Sequence, residues 1–265
     1  MANFLSNALK HVLIAASFTG AAATGAAAAT KPTIVLVHGA FADASSWNGE
    51  VTRLQRAGYR VIAPPNQLRG IENDAASVAS LLKTINGPIV LVGHSYGGPV
   101  IEAAAYGNPN VKALVFVSAY LLDEGESVAG LGEKFPTSQL TPAALTKVPF
   151  ATATGEDADL YVNPQAFHSV FASGLPEAQA SILQATQRPL AASALSGKAT
   201  APAWKSIPSW AVLSTEDLVI PPDEQQYMYD RAKAKITPVA AGHTALVSHP
   251  ELVTKVIEEA AATVR

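Results

Sequence analysis

Four short runs of apolar, mostly β-branched residues punctuate the first half of the chain: TIVLVHG at 33–39, RVIAP at 60–64, PIVLVG at 88–93 and VKALVFVSA at 111–119. After a long gap come SWAVLST at 209–215 and a weaker run, KITPVAA, at 235–241. Most of these runs are almost unbroken rather than alternating, which predicts strands buried on both faces of a sheet. Between them lie helical patterns around residues 47–57, 74–86, 97–106, 222–233 and 249–263, the first closed by Gly58 as a C-terminal cap. Strands alternating with helices of this length imply right-handed βαβ crossovers, hence an α/β fold with a mainly parallel sheet of about six strands flanked by helices.

The gap sets the domain organisation. Residues 122–205 hold no convincing buried strand and instead show Leu, Phe and Tyr in helical patches such as PEAQASILQATQ. This segment is expected to form a helical cap inserted after the fourth strand, over the carboxyl ends of the sheet, where such sheets bind ligands. The core is then 30–121 together with 206–265. Residues 1–29 differ from both: one basic residue near the start, Lys10, then an apolar alanine-rich run ending in small residues, with Ala27 and Ala29 satisfying an A-x-A cleavage pattern. They read as a secretory signal peptide, so the mature protein is expected to be exported, to a periplasm or beyond.

Composition narrows the chemistry. The 265 residues are 49% hydrophobic, enough for a sizeable core, and a formal charge of −3 offers no basic surface for nucleic acid and no anchor for a stable membrane association. There is no cysteine, which removes disulfides, thiolate catalysis and cysteine-based metal sites together.

The chemistry is concentrated where the third run meets its helix, in VGHSYGG. A chain that leaves a strand and enters a helix at once forces Ser95 into a strained turn, with glycines two before and two after, Gly93 and Gly97, where a side chain would strike neighbouring backbone. This is the G-x-S-x-G nucleophile elbow. A serine hydroxyl needs a base, and the base an orienting acid. Of six histidines, His11 falls in the leader, His38 and His94 belong to their turns, and His168 lies in the cap. His249 sits in SHPE, where Ser248 and Glu251 read as a capping box for the last helix. His243 remains, in AAGHTA, on the loop after the final strand. For the acid, Asp217 is the first carboxylate fully past the fifth run, with Glu216 beside it and Asp123 after the fourth run as alternatives. The oxyanion donors are expected from the backbone N–H of Tyr96 and, in HGAF after the first run, from Ala40, with Phe41 as the alternative.

Taken together, VLVHGAF, GHSYGG, STEDLVIPP and AGHTALVSHPE resemble the α/β-hydrolase superfamily, and most of all its branch of plant methyl-ester esterases and hydroxynitrile lyases with their bacterial relatives. The likeness spans about 33–261 and is vague through the cap. It implies that Asp217 is the acid and that Ala40 and Tyr96 hold the oxyanion. Hydroxynitrile lyases of that branch place a lysine after the base histidine. Here that residue is Thr244, so the esterase expectation stands and the cyanohydrin one loses its key group. An elbow serine also disfavours the dehalogenases and epoxide hydrolases of this fold, which use aspartate. The expected activity is hydrolysis of a small or medium, mostly apolar carboxylic ester through an acyl-enzyme, with no metal or organic cofactor. The alternative is a receptor-like protein that binds a small molecule on the same scaffold with slow or no turnover. Phe41, Tyr120, Phe167, Phe171 and Trp204 are expected to wall the substrate pocket.

Overall fold

Every strand of the main sheet runs parallel to its neighbours. The computed structural model describes residues 31–153 and 155–264, so the expected leader lies outside the described residues. In it β1 (Thr33–Val37), β2 (Val61–Ile62), β3 (Ile89–His94), β4 (Val111–Val117), β8 (Ser209–Ser214) and β9 (Lys235–Val239) form a six-stranded sheet in the order β2-β1-β3-β4-β8-β9. Val35 lies opposite Leu91 and Leu91 opposite Leu114, with one register shift between β3 and β4 at Ile89/Val90, and every pair is parallel.

Alternation along the strands divides the core in two. Val35, Leu91, Leu114 and Leu213 face one side, where α2 (Ile71–Leu82), α3 (Gly97–Ala105) and α7 (Pro222–Arg231) cover them. Ile34, Leu36, Val92 and Val115 face the other, packed on α1 (Asn48–Arg56) and α9 (Pro250–Ala262). Both faces are apolar because both are covered, which is why the strands read as continuous rather than alternating runs. The chain steps outward from β1 to β2 and then back across β1 to β3. That reversal opens a crevice between the carboxyl ends of β1 and β3.

The segment between β4 and β8 carries helices α4 (Val128–Lys134), α5 (Pro164–Ala166) and α6 (Glu177–Thr186). It also carries a three-stranded antiparallel sheet that the sequence pattern does not announce: β5 (Leu145–Thr152), β6 (Gly155–Val162) and β7 (Leu190–Ala191). Its inner residues, among them Leu160, Phe167 and Phe171, belong to the same apolar cluster as Val35 and Leu91. The short α8 (Ala245–Ser248) precedes α9, and the capping box expected there does not form. His249 is the N-cap of α9 and makes no side-chain cap, while the Ser248 hydroxyl bonds the His249 ring and the Thr244 carbonyl. Pro250 at the first helical position makes a cap less necessary, because its missing N–H is one fewer donor to satisfy. No helix among the described residues is long and apolar enough to cross a membrane.

One core residue gives a stability prediction. Glu50 on α1 is fully buried and neither carboxyl oxygen has a partner among the described residues. Burial pushes its carboxyl up to about 9 from an ordinary 4.5. The unfolded chain therefore releases a proton at a pH where the folded chain still holds it, so stability is lost as pH rises across that window. Glu50→Gln removes the linked proton. Its melting temperature should gain on wild type by on the order of ten degrees between pH 5 and pH 8.5, at about 1.4 kcal/mol per pH unit of linkage and about 2–4 °C per kcal/mol for a chain of this size. Parallel melting curves across that range would refute the account.

Candidate active site

Four loops at the carboxyl ends of β1, β3, β8 and β9 meet above the crevice. The first brings HGAF, the second Ser95, the third Asp217 and the fourth His243. Ser95 adopts φ 52°, in the left-handed region that costs a non-glycine residue about 1–3 kcal/mol. The close approach that allows this is visible in the flanking glycines. A Cβ on Gly93 would lie 2.6 Å from the Gly97 carbonyl oxygen, and one on Gly97 would lie 2.6 Å from that of Val37. Both obstacles are backbone, so neither can swing aside.

The three polar side chains form one line. His243 Nε2 is 2.9 Å from Ser95 Oγ, and His243 Nδ1 is 2.9 Å from Asp217 Oδ2, with the imidazole and carboxylate fully buried. Asp217 is held on both oxygens. Oδ1 accepts from the N–H groups of Val219 and Ile220 at 2.8 and 3.0 Å, and Oδ2 accepts from Gln225 Nε2 at 2.9 Å as well as from the imidazole. An acceptor on that side fixes the tautomer: Nδ1 carries the hydrogen, and Nε2 is left to accept from the serine hydroxyl. The alternative acids lie elsewhere. Glu216 is exposed, and Asp123 pairs with Lys205.

The N–H of Phe41 is taken by the Arg188 carbonyl at 3.0 Å, which leaves Ala40 as the donor available in HGAF. No partner for the N–H of Ala40 or of Tyr96 occurs among the described residues. Phe41 sits at φ 58°, so a second strained residue stands beside the first. The Tyr96 ring is tied down from below: its hydroxyl donates to Asp74 Oδ2 at 3.0 Å, and the Asp74 carboxylate also accepts from the Arg69 N–H.

Two histidines expected only to shape their turns do more than that. His38 accepts the Asn66 N–H on Nε2 and donates from Nδ1 to the Gly39 carbonyl, stitching the β1 loop to the chain beyond β2. His94 donates from Nε2 to the carbonyl of His243, and the two rings lie 4.9 Å apart. Burial holds His94 well below the usual histidine range, followed by the neighbouring His243 and His38, so it stands against His243 as a neutral ring. Sequence spacing shows His94 next to the serine, but not that its ring turns toward residue 243.

The five residues expected to wall the pocket divide. Phe41 and Tyr120 line a cavity of about 420 Å³, shared with Leu140, Leu160 and Val219. Tyr120 donates its backbone N–H to the Ser95 carbonyl, and Val219 is bound to Asp217, so the cavity is built on the neighbours of the three polar residues. Phe171 is buried with its ring 5.3 Å from the His243 ring and 5.8 Å from that of Phe41, and Phe167 stacks behind it. These two support the site rather than face the cavity. Trp204 is away from it, donating its indole N–H to the Leu122 carbonyl beneath Lys205 and Arg231. No group of three His, Cys, Asp or Glu residues among the described ones could hold a metal ion.

Comparison with known proteins agrees with this architecture. The chain is 27% identical over 253 residues to the pyrethroid hydrolase of Sphingobium wenxiniae, covering 87% of this chain and 88% of that one. It is 31% identical over 126 residues to Methylesterase 8 of Arabidopsis thaliana, 42% of this chain and 46% of that one. Its fold matches the crystal structure of polyneuridine aldehyde esterase with a TM-score of 0.73 at 20% identity, covering 87% and 99% of the two chains. Residues 34–256 match the alpha/beta hydrolase family, and the protein is a member of that family.

Proposed function

We propose that this protein is a serine hydrolase of carboxylic esters that works through an acyl-enzyme. The observation that carries the reading is the unbroken hydrogen-bonded line from Ser95 Oγ through His243 to Asp217, with no partner for the Ala40 and Tyr96 N–H groups among the described residues beside it. His243 Nε2 takes the serine proton as Oγ attacks the ester carbonyl, and the two N–H groups receive the negative charge that forms on the carbonyl oxygen. The imidazolium then protonates the departing alkoxide, and afterwards the same nitrogen takes a proton from the water that releases the acid. Asp217 keeps the ring in its productive tautomer and stabilises its charged form. Residues 122–205 act as the cap over this chemistry. The likeness to a pyrethroid hydrolase and to a methylesterase supports an ester as the substrate class.

A p-nitrophenyl ester series from acetate to octanoate, given to the purified protein in large excess, tests the reading. Release of many equivalents per protein molecule is the expected result, and the chain-length preference sizes the cavity. Release of a single equivalent would instead identify a ligand-binding protein that is acylated and does not turn over.

A further inference from the structure

The cavity beside the three polar residues contains one group that the proposed chemistry does not use. Glu224 lines it, only 1% exposed, and its Oε1 is fully buried with no hydrogen-bond partner among the described residues. No other hydrogen bond of its side chain occurs among the described residues, although a buried carboxyl without partners is costly. Its position explains why it has no structural work. Glu224 is the third residue of α7, where a glutamate ordinarily reaches back to the N–H of the N-cap. Here the N-cap is Pro221 and the first helical residue is Pro222, neither of which has an N–H to offer. The neighbouring Gln225 instead takes up the local donors and acceptors, binding Ser214, Ile220 and Asp217. The Glu224 carboxyl is therefore left beside the cavity, which Tyr120 also lines.

We propose that Glu224, with Tyr120 lining the same cavity, forms a buried polar subsite in a mostly apolar cavity and selects esters that carry an uncharged hydroxyl group. Burial, then the charges of Asp223 and Asp217, push the Glu224 carboxyl up to about 8, so near neutral pH it offers one O–H donor and one carbonyl acceptor. A ligand hydroxyl, which both donates and accepts, can pair with the oxygen left accessible. A carboxylate would be repelled by the same acids, and Glu133 lines the cavity too. A plain alkyl chain would leave the carboxyl unpaired, which disfavours it. This inference rests on the esterase reading for its kinetic arm only.

Two matched pairs of esters test it at pH 6.5: methyl 6-hydroxyhexanoate against methyl hexanoate, and 6-hydroxyhexyl acetate against hexyl acetate. They place the hydroxyl on the acyl or on the alcohol half. In one pair the hydroxyl member should have kcat/KM about tenfold higher. Glu224→Gln, which keeps a donor and an acceptor, should retain most of that ratio, and Glu224→Leu should bring it to about one. Because Glu224→Leu removes an unpartnered buried carboxyl, it should also melt no lower than wild type. Calorimetric affinities of the Ser95→Ala protein for the same pairs read the subsite independently of turnover. A wild-type ratio within twofold of one in both pairs, or one that survives Glu224→Leu, overturns the subsite. Absence of turnover with a retained tenfold difference in affinity overturns the esterase reading and leaves the subsite standing.

Discussion

Ser95→Ala lowers kcat/KM for a p-nitrophenyl ester by about 10⁴-fold or more, with a melting temperature within a degree or two of wild type. The size follows from losing the nucleophile of a set that acts as a unit, where any residual rate comes from the oxyanion donors and substrate binding alone. Unchanged stability follows from geometry. The substitution keeps the Cβ for which Gly39 leaves room and removes a hydroxyl that bonds the His243 ring. The backbone at φ 52° is imposed by the strand-to-helix junction and not by the side chain. Measuring rate and melting together separates a chemical loss from an unfolded protein. Retention of more than a tenth of the activity would point to another nucleophile and remove the basis of the proposed mechanism.

Asp217→Asn should be nearly as damaging, at about 10⁴-fold in kcat, the cost seen when the equivalent exchange is made in the serine protease triad. The reason lies in the number of donors around the carboxylate. Val219, Ile220, Gln225 and His243 all donate to Asp217, and an amide offers only one oxygen in place of two acceptors. With the oxygen kept by the two backbone N–H groups, the new NH₂ faces His243. The imidazole must then accept on Nδ1 and carry its hydrogen on Nε2, where it can no longer take the serine proton. Steady-state kinetics with the same ester decide this. A loss smaller than tenfold would show that the tautomer is not set by Asp217.

Much of this arrangement is legible in the amino-acid sequence because the features that carry it are local. The strands β1, β3, β4 and β8 are buried on both faces, so their apolar runs announce themselves, and a loop at the carboxyl end of such a strand has a known neighbourhood. Ser95, Asp217 and His243 each lie within a few residues of a strand end, so position alone brings them together. The antiparallel pair β5 and β6 is illegible for the opposite reason. Lys147, Val148, Thr152 and Glu156 are exposed, and Pro149 interrupts the run, so no buried alternation survives to mark a strand. Aromatic character alone places Trp204 in the pocket, but its indole N–H needs an acceptor and finds the Leu122 carbonyl, away from the cavity. Glu224 looks like an ordinary acidic residue opening a helix. Only the two prolines before it hint that its usual partner is missing, and only the burial shows where it points.

The apolar cluster that joins Leu160, Phe167 and Phe171 to Val35 and Leu91 has a consequence for how this molecule opens. A cap resting on its own separate core could swing as a rigid lid and expose little. Here, lifting residues 122–205 as a body would uncover Leu160, Phe167 and the Phe171 ring that rests on His243, together with the core residues they touch, at about 25 cal/mol for every Å² of apolar surface uncovered. Few thermal fluctuations reach that height. Opening is then expected in small, independent displacements of the least buried pieces, chiefly α4 and the outer ribbon of β5 and β6. The same continuity makes unfolding of cap and sheet a shared event, so that a heat-capacity trace should show a single peak in which neither part can melt and leave the other behind.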